Sequence, residues 1–136
     1  MFPERLNGEE RDFAQLLDDD DTGTVNWWMR NPENETWATR LFLPSGKRFF
    51  PDFIVGVAGR SSRDAIALVE IKDDGVTGRL QSDNNVEKIR VRHREYQQIV
   101  WVYRDGEQWV RAQYAPNMHR IIPKDRFQIR ELVYPD

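Results

Sequence analysis

Between Gly8 and Asp19 the apolar residues Phe13, Leu16 and Leu17 recur with the 3.6-residue period of a helix face, and Asn7 stands where a side chain caps the first turn. The period then shortens. Val25–Arg30, Trp37–Leu43, Phe49–Val57 and Ala65–Ile71 are short runs rich in β-branched and aromatic residues. The breaks between them are polar or carry turn residues, at Asn31-Pro32-Glu33-Asn34, Pro44-Ser45-Gly46 and Gly59–Asp64. Such runs predict strands. Helical spacing returns over Asn84–Gln97, where Val86, Ile89, Val91 and Tyr96 form an imperfect stripe among charges. Ile99–Tyr103 and Gln108–Tyr114 then alternate on either side of Asp105-Gly106, a two-residue hairpin signal that sets Arg104 against Glu107. From Ala115 onward the tail is punctuated by proline and has room for one more short strand. Helix, strands, helix, strands is the order of an α+β domain around a mixed sheet, and residues 1–136 contain no convincing linker or repeat.

The two strands Phe49–Val57 and Ala65–Ile71 bring chemistry with them. Paired symmetrically about Ser61, they set Asp52 opposite Glu70, and the two-residue repeat places Lys72 on the same face as Glu70. Facing residues on one sheet face have Cβ atoms about 5 Å apart, close enough for like charges to destabilise each other. Two carboxylates so placed call for a cation. Lys72 supplies one charge and closes a salt-bridge cluster; the spare oxygens equally suit a hard divalent ion such as Mg²⁺.

Composition narrows the choice of ligands and leaves the partner open. The chain has no cysteine, so thiolate metal sites, disulfides and cysteine nucleophiles are excluded. His93 and His119 have no partner at ligand spacing and are ordinary polar residues. The acidic run Asp18–Asp21 lacks the glycine and distal glutamate of a calcium loop and is expected to be a solvated linker. The net charge of −3 hides an uneven division: acidic side chains outnumber basic ones up to Gly75, and basic ones lead thereafter. Lys88 and Arg92 are neighbours on the second expected helix, able to meet phosphate or to form a solvated face. Arg30, at the end of the Val25–Arg30 strand, can likewise reach phosphate or make a salt bridge. Of the adjacent Trp27 and Trp28, which point to opposite faces, at least one belongs in the core. No apolar run is long enough to span a membrane and the acidic start is unlike a signal peptide, so a cytoplasmic location is expected. The sequon Asn34-Glu35-Thr36 would then stay unused.

Pro51-Asp52 followed by Glu70-Ile71-Lys72 resembles the PD-(D/E)xK nuclease signature. The neighbouring Glu10-Arg11-Asp12-Phe13-Ala14, Leu17-Asp18, Val25–Asn31 and Phe49–Phe53 resemble the C-terminal endonuclease domain of type III restriction subunits and related helicases. Residues after about 100 add little to the likeness. The resemblance implies a restriction-endonuclease-like αβββαβ core, Mg²⁺- or Mn²⁺-dependent hydrolysis of DNA, and a helicase or translocase partner, as a domain or a subunit. The chain itself has no GxxxxGK[ST] phosphate loop for such a motor. It also implies a third acidic residue from the first helix, matched by Glu10. Helical geometry alone does not separate Glu10 from Glu9, and Glu10 can instead close a capping box onto Asn7.

On this basis Asp52 and Glu70, with Ile71, are the expected metal ligands, Lys72 orients the attacking water or steadies the transition state, and Glu10 completes the catalytic set. Arg30, Lys88 and Arg92 are the expected nucleic-acid contacts, and Asp73–Asp83 is a loop placed to meet substrate. Two other readings use the same residues: an inactive nuclease fold that binds DNA or docks a protein, with the aromatic Val25–Trp37 region as its surface, and a small interaction protein in which the motif is coincidental.

Overall fold

Phe13, Ala14 and Leu17 are withdrawn from solvent, as the helical repeat requires, on the inner side of α1 (Gly8–Asp18). The computed structural model describes residues 8–31, 38, 40–42, 45–58, 65–72, 86, 89 and 98–133. Eight strands follow in the described chain: β1 (Val25–Arg30), β2 (Leu41–Phe42), β3 (Arg48–Phe49), β4 (Phe53–Val57), β5 (Ala65–Lys72), β6 (Gln98–Asp105), β7 (Gln108–Ala115) and β8 (Arg120–Arg126). Six of them form one sheet in the order β1-β4-β5-β6-β7-β8, and β2-β3 is a separate ribbon. Only β5 and β6 are parallel, so the sheet is mixed and the fold α+β. A parallel neighbour needs a crossover. It runs through residues 73–97, of which Val86 and Ile89 are described; both are helical and pack on the sheet. The rest of the helix expected over Asn84–Gln97, the loop Asp73–Asp83 and the cap at Asn7 lie outside the described residues.

The two sheet faces bury different sets, as strand alternation dictates. Phe53, Val55, Val57, Val69, Val100 and Val102 meet α1, and Phe13 sits among the rings of Phe53, Trp109 and Phe127. Ile54, Leu68, Trp101, Tyr103 and Ile121 form the opposite cluster with Phe49. Trp28 belongs to the first cluster, edge-on to Phe53. Trp27 is 41% exposed and lies over Gly56, where a Cβ would stand 2.2 Å from the indole. One tryptophan is therefore core, and the other uses a glycine as its seat.

Several local expectations are corrected. The strand Phe49–Val57 is broken into β3 and β4, because Pro51 has no N–H to continue a ladder. Of the strand Trp37–Leu43 only Leu41–Phe42 is a strand among the described residues. The hairpin is one residue out: Asp105 faces Gln108 and Arg104 faces Trp109, so Gly106-Glu107 makes the turn, with Gly106 at φ +64°. Glycine at the first central position, with no positive φ at the second, is the II′ arrangement. The acidic run is largely exposed, as expected of a solvated linker, but it also organises the chain. Asp18 accepts from Trp28 Nε1 at 2.7 Å, and Asp20 takes the amides of Thr22, Thr24 and Val25 at 3.0 Å and the Thr22 hydroxyl at 2.6 Å, launching β1. The tail is more regular than its prolines suggest. β8 is an edge strand, where Pro123 is tolerated, followed by a 3-10 turn at Ile129–Leu132. No helix among the described residues is long and apolar enough to cross a membrane.

Candidate active site

The β4–β5 ladder runs from Val57↔Ala65 to Phe53↔Val69, so the next facing pair is Asp52 and Glu70. This is the register expected from symmetry about Ser61. Glu70 is buried at 3% exposure, and Lys72 Nζ lies 2.7 Å from its Oε2. The parallel register puts Trp101 beside Glu70 and Tyr103 beside Lys72, and the Lys72 ammonium sits 5.3 Å from the centre of the Trp101 ring. A cation over an indole face, tied at the same time to a carboxylate, is held in one place. Lys72, Glu70 and Asp52 thus meet at one end of the sheet.

Asp52 is fixed from two sides. Its Oδ2 accepts the Ile71 N–H at 2.8 Å, which ties the carboxylate to β5. Its Oδ1 lies 3.5 Å from Arg30 Nη2. Burial pushes the Asp52 carboxyl up to about 7, helped by the charge of Glu70 and a hydrogen bond shared with it; the Ile71 amide and Arg30 pull the other way. Near neutral pH this carboxyl is therefore held partly protonated.

Arg30 ends β1 and turns inward. Its Nε is bonded to Glu10 Oε2, and its Nη1 donates to the carbonyls of Asn31 at 2.7 Å and Asp52 at 2.9 Å. Glu10, in the first turn of α1, is thereby linked to Asp52 through the guanidinium. Asn31, fully buried, follows with its own bonds to the Pro51 and Asp52 carbonyls. Neither Asn31 nor Trp101 was singled out as a site residue from the sequence. The first closes the Val25–Asn31 segment of the resemblance and stands between an apolar strand and Pro32, and nothing local marks the second. Lys88 and Arg92 lie outside the described residues.

The donor set suits a divalent cation. Among the described residues no three carboxylates or imidazoles are grouped to hold an ion, so the ligands on offer are the Asp52–Glu70 pair. Mg²⁺ commonly takes one or two protein carboxylates, the rest of its shell being water and phosphate oxygen. A carboxyl kept partly protonated by burial and by a neighbouring carboxylate has a proton that a cation could replace. Compared with known proteins, the chain matches no family model, no curated protein sequence and no solved structure.

Proposed function

We propose that this protein is a metal-dependent nuclease that hydrolyses phosphodiester bonds of DNA on a restriction-endonuclease-like core, as the nuclease module of a restriction or helicase–nuclease system. The observation that carries the reading is that Asp52, one residue before β4, stands against Glu70 of β5, with Lys72 joined to Glu70. The order α1, β1, β4, β5, crossover, β6 agrees with the αβββαβ core that the resemblance implies.

Asp52 and Glu70, with the Ile71 carbonyl, would hold Mg²⁺ or Mn²⁺. A bound divalent ion supplies a water of lowered pKa and neutralises charge developing on the phosphate. The chain's own groups do the rest. Lys72, steadied by Glu70 and by the Trp101 ring, orients the attacking water by donating to it, or meets a phosphate oxygen as negative charge grows there. Glu10 keeps Arg30 against Asp52 and adds negative charge at the edge of the site. Lys88 and Arg92 are the proposed phosphate contacts along the substrate, and a helicase or translocase partner is the proposed source of further affinity. A cytoplasmic location follows from the same reading.

The arrangement of Arg30 favours a second reading. A guanidinium lodged between Glu10 and Asp52 is a built-in cation, as expected of an inactive nuclease fold that binds DNA or docks a protein. One experiment separates the two. Duplex, single-stranded and branched DNA are incubated with the protein in Mg²⁺, Mn²⁺ or EDTA, beside Asp52→Ala, Glu70→Ala and Lys72→Ala. Ion-dependent cleavage that each variant lowers by about two or more orders of magnitude, while remaining folded, is the nuclease result. Binding without cleavage is the docking result.

A further inference from the structure

Taking the phosphodiesterase reading as given, we propose that Asn31 and Arg30 are positioning residues, a clamp on the Pro51–Asp52 backbone that sets where the Asp52 carboxylate stands. The need for a clamp begins with proline. The β1–β4 ladder ends at Arg30↔Phe53, and Phe50, Pro51 and Asp52 belong to no strand. Pro51 has no N–H to contribute to a ladder, yet its carbonyl and that of Asp52 still need donors, and Pro51 is buried. Without other partners the segment carrying the carboxylate would have no fixed place.

Residues 30 and 31 meet that need. The Asn31 side-chain amide donates to the Pro51 carbonyl at 2.9 Å, and the Asn31 backbone N–H donates to the Asp52 carbonyl at 2.8 Å. Arg30 Nη1 donates to the same Asp52 carbonyl at 2.9 Å and to the Asn31 carbonyl at 2.7 Å, which ties the clamp to itself. Asn31 is 0% exposed, so no water competes for its own bonds. Three of these four bonds land on one dipeptide, and the far end of that dipeptide's acid is held by the Ile71 amide. The backbone of Asp52 is thus referred to β1 and its carboxylate to β5.

Arg30 is ill placed to serve as a phosphate contact as well. Its Nε serves Glu10, its Nη1 serves two carbonyls and its Nη2 faces Asp52. A lysine there would keep the charge, but a single ammonium on a flexible stem does not reproduce the planar fork that spans a carboxylate and two carbonyls. Misplacement of a reacting group by about 1 Å costs on the order of 100-fold in rate.

The test uses the full chain with Arg30→Lys and Asn31→Ala. Three properties are measured: the thermal unfolding midpoint, Mn²⁺ binding by calorimetry without DNA, and DNA cleavage as a function of both Mn²⁺ and DNA. The clamp predicts that Arg30→Lys binds Mn²⁺ about tenfold or more weakly and cleaves about 100-fold more slowly at saturating DNA. Its KM for DNA should be little changed. Asn31→Ala should move the same way; if it does not fold, Arg30→Lys carries the test, since its charge is retained at a side chain that is only partly buried. A raised KM for DNA with Mn²⁺ binding intact would make Arg30 a phosphate contact and overturn the clamp. So would variants that lose only thermal stability while their folded fraction binds Mn²⁺ and cleaves as the wild type does. A wild-type protein that neither binds Mn²⁺ nor cleaves DNA overturns the phosphodiesterase reading and the clamp together. An active wild type with two fully active variants overturns the clamp alone.

Discussion

Replacing Asp52 by asparagine should make the protein more stable at pH 8 while removing its activity. Folding carries the Asp52 carboxyl from an ordinary 3.8 to about 7, chiefly by burial and next by the charge of Glu70. The folded state therefore binds a proton that the unfolded state has already released between these two values. Stability must fall as pH rises through that window and level off above about 7. At about 1.4 kcal/mol per pH unit, the interval corresponds to a ceiling of about 4 kcal/mol. The Asp52 side chain is 21% exposed, so water relieves part of the cost and about 2–4 kcal/mol is the expected effect. Asparagine has nearly the shape of the protonated acid, its oxygen still accepts the Ile71 amide, and it does not ionise. Urea unfolding of both proteins in EDTA should give closely similar stabilities near pH 4 and a growing advantage for Asp52→Asn up to pH 8. Excess Mg²⁺ should then raise the wild type at pH 8, by about 2.7 kcal/mol at a hundred times its Kd, and leave Asp52→Asn where it was. A stability difference that stays flat from pH 4 to pH 8 would refute the reasoning, because it would mean that neither burial nor the neighbouring Glu70 raises the Asp52 carboxyl on folding.

Gly56→Ala should cost about 1–3 kcal/mol, since the added Cβ would stand 2.2 Å from the Trp27 ring and the indole would have to leave its seat. A red shift of tryptophan emission accompanying the lower unfolding midpoint would identify that movement, and an unchanged spectrum would count against it. Asp20→Ala should cost about 1–3 kcal/mol by leaving the amides of Thr22, Thr24 and Val25 without their acceptor. Burial alone would push the Asp20 carboxyl up, but the Thr22 hydroxyl and the amides of Val25, Thr22 and Thr24 together hold it below 3.8. Its contribution is therefore present above the ordinary carboxylate range and lost as pH falls through the lowered value. The wild type and Asp20→Ala should converge in stability in acid, and chemical denaturation at descending pH checks it.

What could be read in the amino-acid order is what short-range geometry controls. Two apolar strands joined by one polar turn pair symmetrically, so Asp52 against Glu70 follows from counting outward from Ser61, and Lys72 follows from the two-residue alternation of side chains. Helix α1 and its buried Phe13 and Leu17 follow from a period in the same way. The errors fell where a single residue overrides the pattern: Pro51 breaking a strand that its apolar neighbours would continue, and Gly106 moving the hairpin by one position. What only the tertiary structure decided is which distant segments lie side by side. Trp101 reaches Lys72 because a crossover lays β6 parallel to β5, and Arg30 and Asn31 reach Pro51 and Asp52 because β1 takes the other side of β4. Neighbouring residues settle their relation through backbone periodicity. Residues twenty or more positions apart settle theirs only when the whole sheet buries its apolar faces, and that choice leaves no local mark on Trp101.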